Sequence, residues 1–501
     1  MAENTIPSVL PALVFIIPAA AGLLAWLLGR VRLGAAQFLG FAGAAGALVV
    51  ALAMVSPVVG GSVLTTWGRE LRVDGLSSLV VVLIALIGLV AVIYSFRYMR
   101  HRSILDAAGV DVTRRKLAGF YALFLCFIAT MLWGTTTNNI IMLYVAVEAT
   151  TIASGLLVSF WWDRRALEAG YKYLMLLTVG ITFALFGCVM LYAASTRFLQ
   201  GADAMLISQI RTIATAIPHS VMIFVCAFFI VGFGTKAGIA PFHPWLPDAH
   251  AEAPGPVSAL LSGVMIKMAA YALARTLGIF LAAYNPLGLF IVILGCFTML
   301  LGIIMALAQD DVKRLLAYSS VSQMGYILMG FGFWTYLGAY GALFHLVNHA
   351  IAKALLFLAI GAVIYRTSSR NLTQMGGLAA KMPATAACFF IGAFAISGLP
   401  PFNGFMSKFT IFLAGAQKGL WWASAIGIFT SLLTVVALVK AGYLIFWGKP
   451  REQAVFDSAK EAPLSMLVPV GVLAFGCLYL GIWPQAIYPL LNRAAHSLLG
   501  F

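Results

Sequence analysis

Residues 398–409 read GLPPFNGFMSKF, a break in a run that is otherwise apolar. Proline removes a backbone donor and an ammonium is costly in lipid, so Pro400, Pro401 and Lys408 look like damage to a membrane helix. The stretch has a twin. Residues 238–245 read GIAPFHPW, and both copies follow glycine, aliphatic, any residue, proline, phenylalanine, His or Asn, any residue, aromatic. Each lies beside a lysine embedded in apolar sequence, Lys236 or Lys408. A second echo precedes each break, KYLMLLTVG (172–180) and KALLFLAIG (353–361). A matched pair of breaks predicts discontinuous helices at Pro241 and at Pro400–Pro401 in two copies of one unit. Backbone groups freed there need water or protein partners, so both breaks should line a hydrated interior.

Composition fixes the class around these breaks. Of 501 residues, 62% are hydrophobic and 9% charged, far fewer charges than the roughly 25% of a soluble domain. The expected fold is an all-α polytopic membrane protein of fourteen helices. They are centred in 6–28, 34–55, 77–98, 118–134, 138–161, 172–194, 219–240, 255–277, 284–308, 313–333, 338–365, 385–415, 421–447 and 463–484. The first has neither a basic leader nor a small-residue cleavage site and reads as a retained span. Spans 7 and 12 are five apart and enter the membrane in opposite directions. This predicts two inverted five-helix repeats, spans 4–8 and 9–13, with helices 7 and 12 broken. The chain then divides into 1–117, three N-terminal spans; 118–277, the first repeat; 278–447, the second repeat; and 448–501, the last span and tail.

Loop charge orients the array. Of the 31 Lys and Arg, 19 fall in odd-numbered connections and seven in even-numbered connections or tails. The basic loops face the cytoplasm, which places both termini outside a cell inner membrane. The net charge of +15 is thereby spent on topology, with no basic face for nucleic acid. Six cysteines lie in apolar segments without C-x-x-C spacing, which argues against disulfides, iron–sulfur ligation or zinc. No phosphate loop and no nucleophile elbow is present, so no catalytic residue and no cofactor bound by this chain is expected.

Five lysines remain, all inside predicted spans: Lys236, Lys267, Lys353, Lys408 and Lys440. Lys440 is near a cytoplasmic end and can snorkel. Glu148, in YVAVEATTIASG, is the one acid deep in an apolar run. Four lysines and one glutamate at midplane would cost on the order of 12–17 kcal/mol unpaired, at about 2.5–3.5 kcal/mol each. Pairing, internal water or altered protonation must offset this, and lysines outnumber acids. HLVNHAIAKALLF places His345, His349 and Lys353 at i, i+4 and i+8 on one helix face. Two histidines and an ammonium make a poor metal site; a proton relay fits better. His243, Asp248, His250 and Glu252 flank the proline-rich turn PFHPWLPDAHAEAPGP. They read as loop caps or as a proton entry mouth.

At these residues the sequence resembles the antiporter-like subunits of respiratory complex I, of membrane-bound hydrogenases of the formate hydrogenlyase type, and of multisubunit cation/proton antiporters. The similarity is carried by the Glu148 helix, AGYKYLMLL, GTKAGIAPFHPWLPDAHAEAPGPVSALLSGVMIKMAAYALAR, DDVKRLLAYSSVSQMGY, HLVNHAIAKALLFLAIG and GLPPFNGFMSKF, across roughly 118–410. The resemblance implies two half-channels. It pairs Glu148 with Lys236 as a switch, makes Lys267 the central relay and continues through His345 and His349 to Lys408. Some members carry glutamate at this last position. The longest members add a lateral helix after span 14; this chain stops about 17 residues after its last span and so resembles the shorter members.

The implied function is proton translocation driven by redox chemistry in other subunits, antiporter-like and quinone-module-like, which would carry iron–sulfur clusters and quinone or nickel–iron. A Na⁺/H⁺ antiporter subunit without redox drive, with Na⁺ as the alternative ion, and a scaffold subunit are the rival readings.

Overall fold

The computed structural model describes residues 4–101, 111–281 and 284–500. Arg102, one of the 19 basic residues of the odd-numbered connections, lies outside them. The helices are α1 (Leu10–Gly29), α2 (Leu33–Ala53), α3 (Gly75–Tyr98), α4 (Thr113–Thr136), α5 (Ile140–Val158), α6 (Arg164–Ser195), α7 (His219–Ala237), α8 (Trp245–Glu252) and α9 (Gly255–Leu277). They continue as α10 (Asn285–Leu307), α11 (Val312–Phe333), α12 (Tyr336–Thr367), α13 (Pro383–Ser397), α14 (Asn403–Gln417), α15 (Trp421–Gly442), α16 (Leu464–Ile482) and α17 (Tyr488–Leu499). Local chemistry sets many starts: Asp74, Asn139, Asp163, Asp311 and Thr335 each accept from a backbone amide in the first turn of α3, α5, α6, α11 and α12.

Among the described residues, twelve helices are long and apolar enough to cross a membrane. Two of the fourteen expected spans fall outside that number. One is α11, where Lys313, Arg314, Ser319, Ser320, Ser322 and Gln323 dilute the apolar content. The other is split into α13 and α14, of 15 residues each.

Both breaks have the same backbone. Gly238 and Gly398 end α7 and α13 with φ of 72° and 80°, left-handed values that glycine tolerates without a Cβ clash. In each copy the next amide returns to the helix, Ile239 N to Gly234 O at 3.0 Å and Leu399 N to Phe394 O at 3.1 Å. The two lysines that open the second echo differ in setting. Lys172 is half-exposed and paired with Glu168 at 2.7 Å, whereas Lys353 is fully buried. The two 32-residue helices that carry them, α6 and α12, start at Arg164 and Tyr336. That spacing of 172 sets buried Tyr173, not Lys172, opposite His345.

The N-terminal reading also changes. Ile6 and Pro7, expected within the first span, belong to strand β1 (Asn4–Pro7). It pairs in parallel with β2 (Ser62–Thr66), which pairs antiparallel with β3 (Leu71–Val73). The C-terminal helix α17 docks beside this sheet, on Gly61 just before β2 and Gly75 at the start of α3: Arg493 Nη2 donates to Gly61 O at 2.7 Å and Gly75 N to Ser497 Oγ at 3.2 Å. Both termini therefore share one face. The opposite face carries the basic connections, knitted by Arg370 to Glu252 at 2.6 Å and to Asp311 at 2.8 Å, and by Arg314 to Asp248.

Burial is sorted by helix. The windows of α1, α2, α6 and α16 that would cross the bilayer are 39% buried, α12 is 94% buried and α9 is wholly buried. The outer helices show apolar side chains where lipid or partner would lie. The two enclosed ones carry Lys267, His345, His349 and Lys353.

Candidate functional site: a buried row of lysines and histidines

Beside Lys313, buried at the basic face, four lysines sit deep inside the protein. Lys236, Lys267, Lys353 and Lys408 are each no more than 2% exposed. Every one is held by neutral oxygen. Lys236, in the last turn of α7, donates to Thr151 Oγ1 on α5 at 2.8 Å and to Tyr173 OH on α6 at 3.4 Å. Tyr173 OH also meets Ser154 Oγ at 2.5 Å. Glu148 lies one turn before Thr151 but forms no ion pair with Lys236 within 4.0 Å. Instead its Oε1 accepts from Thr178 Oγ1 at 3.1 Å, and Oε2 is buried without a protein partner. Glu148 shares a helix stripe with exposed Val145, Ile152 and Leu156, so it stands between the lysine and the outer surface.

The middle of the row joins the repeats. Just before Lys267, α9 widens into a π-helical turn, Leu261–Met265, and the ammonium donates back to the carbonyl of Ser262 within it. Such turns leave backbone groups free for functional contacts. Ser262 Oγ meets Ser320 Oγ of α11 at 2.8 Å. Ser320 donates to Leu316 O, and that carbonyl also accepts from Lys353 at 2.9 Å; Ser319 Oγ is the other partner of Lys353. Serines thus connect Lys267 in the first repeat to Lys353 in the second.

The second half runs through the histidines. His349 and His345 lie parallel, centroids 6.1 Å apart and planes at 4°. His345 bonds Ser407 Oγ and Gln323 Oε1, each at 3.1 Å. Neither ring nitrogen of His349 has a protein partner; a buried imidazole in that position calls for water. Lys408 follows Ser407 in sequence and donates to Ser431 Oγ at 3.0 Å and Ser397 O at 3.4 Å, with its nitrogen 4.6 Å from the Tyr326 ring centre. Ser397 is the residue before Gly398, so the break supplies a partner to the charge. Lys236 precedes its break whereas Lys408 follows its own, so the two lysines are not equivalent positions of the repeat.

The remaining candidates separate. Asp248 and Glu252 are ion-paired on the basic face, and Lys172 reaches Asp248 at 3.9 Å. His243 lies edge-on to Tyr318 with centroids 6.1 Å apart. His250 is fully buried, stacked on Phe357 at 4.6 Å, with neither ring nitrogen bonded to protein. Lys440 is exposed and donates to Leu307 O, as a snorkelling lysine would. Among the described residues no group of three or more His, Cys, Asp or Glu could hold a metal ion.

Reading charges alone misses Thr151, Ser154, Tyr173, Ser262, Ser319, Ser320, Gln323, Tyr326 and Ser431. Their signal was a run of hydroxyls in membrane sequence, as in AYSSVSQMGY (317–326).

Residues 137–434 match the family described as NADH:quinone oxidoreductase/Mrp antiporter, transmembrane, and residues 67–105 match the complex I chain 5 N-terminus. The chain belongs to this family. The NADH-quinone oxidoreductase subunit N of Desulforudis audaxviator (strain MP104C) is 36% identical over 502 residues, covering 95% of this chain and 96% of that one. Hydrogenase-4 component B of Escherichia coli (strain K12) is 34% identical over 451 residues, 85% of this chain, which spans only 64% of that longer relative. A chain of the Mrp complex from Dietzia sp. DQ12-45-1b has the same fold, with TM-score 0.86 at 24% identity over 98% of this chain and 97% of that one. The family match covers every residue of the row from Glu148 to Ser431.

Proposed function

We propose that this chain conducts protons across a cell inner membrane, as one antiporter-like subunit of a larger complex whose other subunits carry the redox chemistry. The observation behind this is the row of titratable and hydroxyl groups from Glu148 to Lys408, with its middle, Lys267, Lys353, His349 and His345, on the two enclosed helices. Its lysines are held by neutral oxygens, so no fixed counter-charge locks a proton in place.

Fourteen spans, counting α11 and the pair α13–α14, put the basic loops in the cytoplasm and both termini outside. The repeats occupy 118–277 and 278–447, with 1–117 and 448–501 packed around them. Glu148 and Lys236 act as a switchable pair. An ion pair at about 4 Å with effective dielectric near 20 contributes about 4 kcal/mol, or about three pKa units. Drawing Glu148 from Thr178 toward Lys236 would hold the proton there; turning it outward to a neighbouring subunit would release it along Lys267, Lys353, His349 and His345 to Lys408. His243 and His250 lie on the side where entry is expected, while Asp248 and Glu252 serve as partners of the arginines.

Near full-length similarity to a quinone oxidoreductase subunit, with partial similarity to a hydrogenase component, favours redox-driven partners, with quinone or nickel–iron and iron–sulfur groups outside this chain. Sodium transport is the weaker reading because sodium prefers carboxylate and carbonyl ligands, and Glu148 is the row's one carboxylate. In vesicles holding the whole complex, Glu148→Gln and Lys408→Ala are each expected to abolish proton movement per turnover. Unchanged pumping would overturn the reading, and uptake tracking ΔpNa instead of ΔpH would favour the sodium alternative.

A further inference from the structure

A second polar cluster lies between Lys267 and the face that carries the termini, and the row makes no use of it. Lys267, Tyr271 and Arg275 recur every four residues along α9 and share one face, with about 6 Å of rise per step. Tyr271 OH donates to Thr135 O at 3.0 Å and meets Ser77 Oγ at 2.9 Å. Ser77 is in the first turn of α3, and its amide is capped at 3.1 Å by Asp74, a carboxylate 3% exposed. Tyr271, Ser77 and Asp74 line a polar track that begins one turn beyond Lys267 and runs toward the terminal face, ending at a buried carboxylate that meets Ser77 through its amide. By itself such a path would drain protons from the middle of the row.

Arg275 sits on all three members of that path. Nη2 donates to Asp74 Oδ1 and to Ser77 Oγ at 3.0 Å, and Nε donates to Tyr271 OH at 3.2 Å. Arg72 Nε adds a longer contact to Asp74 Oδ2 at 3.8 Å. A guanidinium cannot give up its proton in a protein, and it has no lone pair to accept one. A fixed cation across a narrow polar path also repels an incoming proton, as arginine does in water-selective pores.

We infer that the Arg275–Asp74 clasp is an electrostatic plug that closes the first repeat toward the terminal face, so that protons reaching Lys267 can leave only through the second repeat. The inference rests on the transport reading above and adds the device that gives the route its direction. Asp74 holds the cation in place and balances it, which is why a largely enclosed arginine is tolerated at this point.

The test is passive proton entry, measured without turnover. Vesicles containing the whole complex and an internal pH dye receive a valinomycin-imposed potassium diffusion potential. The double variant Asp74→Asn, Arg275→Gln removes both charges and leaves neither orphaned. It is expected to raise proton conductance about tenfold or more, the factor that one pKa unit of barrier represents. Adding Tyr271→Phe, which breaks the path behind the plug, should restore tightness; a purely structural clasp predicts no such rescue. Conductance equal to the parent in the double variant, or a leak that Tyr271→Phe leaves intact, overturns the plug. If the double variant does not assemble, Arg275→Lys keeps a charge but cannot cover Asp74, Ser77 and Tyr271 together. A leak above the parent supports the plug and the parent's conductance overturns it. A tight double variant with normal pumping defeats the plug alone, whereas normal pumping in Glu148→Gln defeats the transport reading.

Discussion

Tyr173 and Thr151 show what a buried ammonium needs when no carboxylate is bonded to it. Hydrogen bonds to a charged group are worth about 1.5–3 kcal/mol, and leaving such a group bare costs more. Thr151 is the nearer partner of Lys236, at 2.8 Å against 3.4 Å for Tyr173. Thr151→Val is therefore expected to slow proton movement about tenfold or more, and Tyr173→Phe by less, since about 1.4 kcal/mol is one decade. Pumping rates of the two variants in the assembled complex check the order; a larger loss in Tyr173→Phe would mean that the hydroxyl network, not direct solvation of Lys236, sets the rate. The lysines themselves were legible in the sequence, because a charge at the middle of an apolar run has nowhere to snorkel. Their partners were not. A threonine or tyrosine in a membrane helix carries no penalty large enough to mark it, and only the approach of α5, α6 and α7 distinguishes Thr151 from any other threonine.

Among the elements, the two half-helix breaks were the most readable, since glycine with proline leaves few backbone options. Their packing adds a constraint that the motif does not spell out. A Cβ on Gly404 would lie 1.8 Å from Ala395 O, so the first turn of α14 rests directly on the end of α13. A Cβ on Gly398 would lie 2.9 Å from Cδ of Lys408, and φ there is 80°. Left-handed backbone costs a side-chain-bearing residue about 1–2 kcal/mol. Gly398→Ala should lower the melting temperature modestly and displace Lys408, whereas Gly404→Ala should prevent the half-helices from closing and lose assembled protein outright. Intrinsic-fluorescence melting in detergent and the yield of assembled complex check both. Equal effects from the two would show that conformation at Gly398, not the contact at Gly404, holds the break. The C-terminal helix α17 and the three-stranded sheet were illegible for the opposite reason. Short segments outside the membrane are specified by what they dock on, and the partners of α17 lie more than 400 residues earlier, at Gly61 and Gly75.

Over the whole molecule, the basic face is fastened by Asp248 and Glu252 from one segment together with Asp311 from another. The segment between the first break and α9 contains no Lys or Arg, and its Asp248 and Glu252 receive Lys172 of α6, Arg314 of α11 and Arg370 after α12. Removing Arg370 strands Glu252 and Asp311 together. These pairs are partly solvated, so Arg370→Ala is expected to cost about 1–3 kcal/mol, between the values of exposed and buried bridges. A drop in melting temperature that Arg370→Lys only partly restores would check this; no change would mean the face is held by packing alone.

Sequence by itself determined the membrane class, the helix order, the repeated breaks and the charges that must be buried, because lipid penalises every unmet polar group and leaves few arrangements. Tertiary structure alone decided that Lys236 rests on hydroxyls with Glu148 held apart on Thr178, that serines bridge Lys267 to Lys353, and that Arg275 covers the path beside them. Each of those depends on side chains from different helices meeting within about 3 Å, and the periodicity of one helix says nothing about its neighbour's rotation.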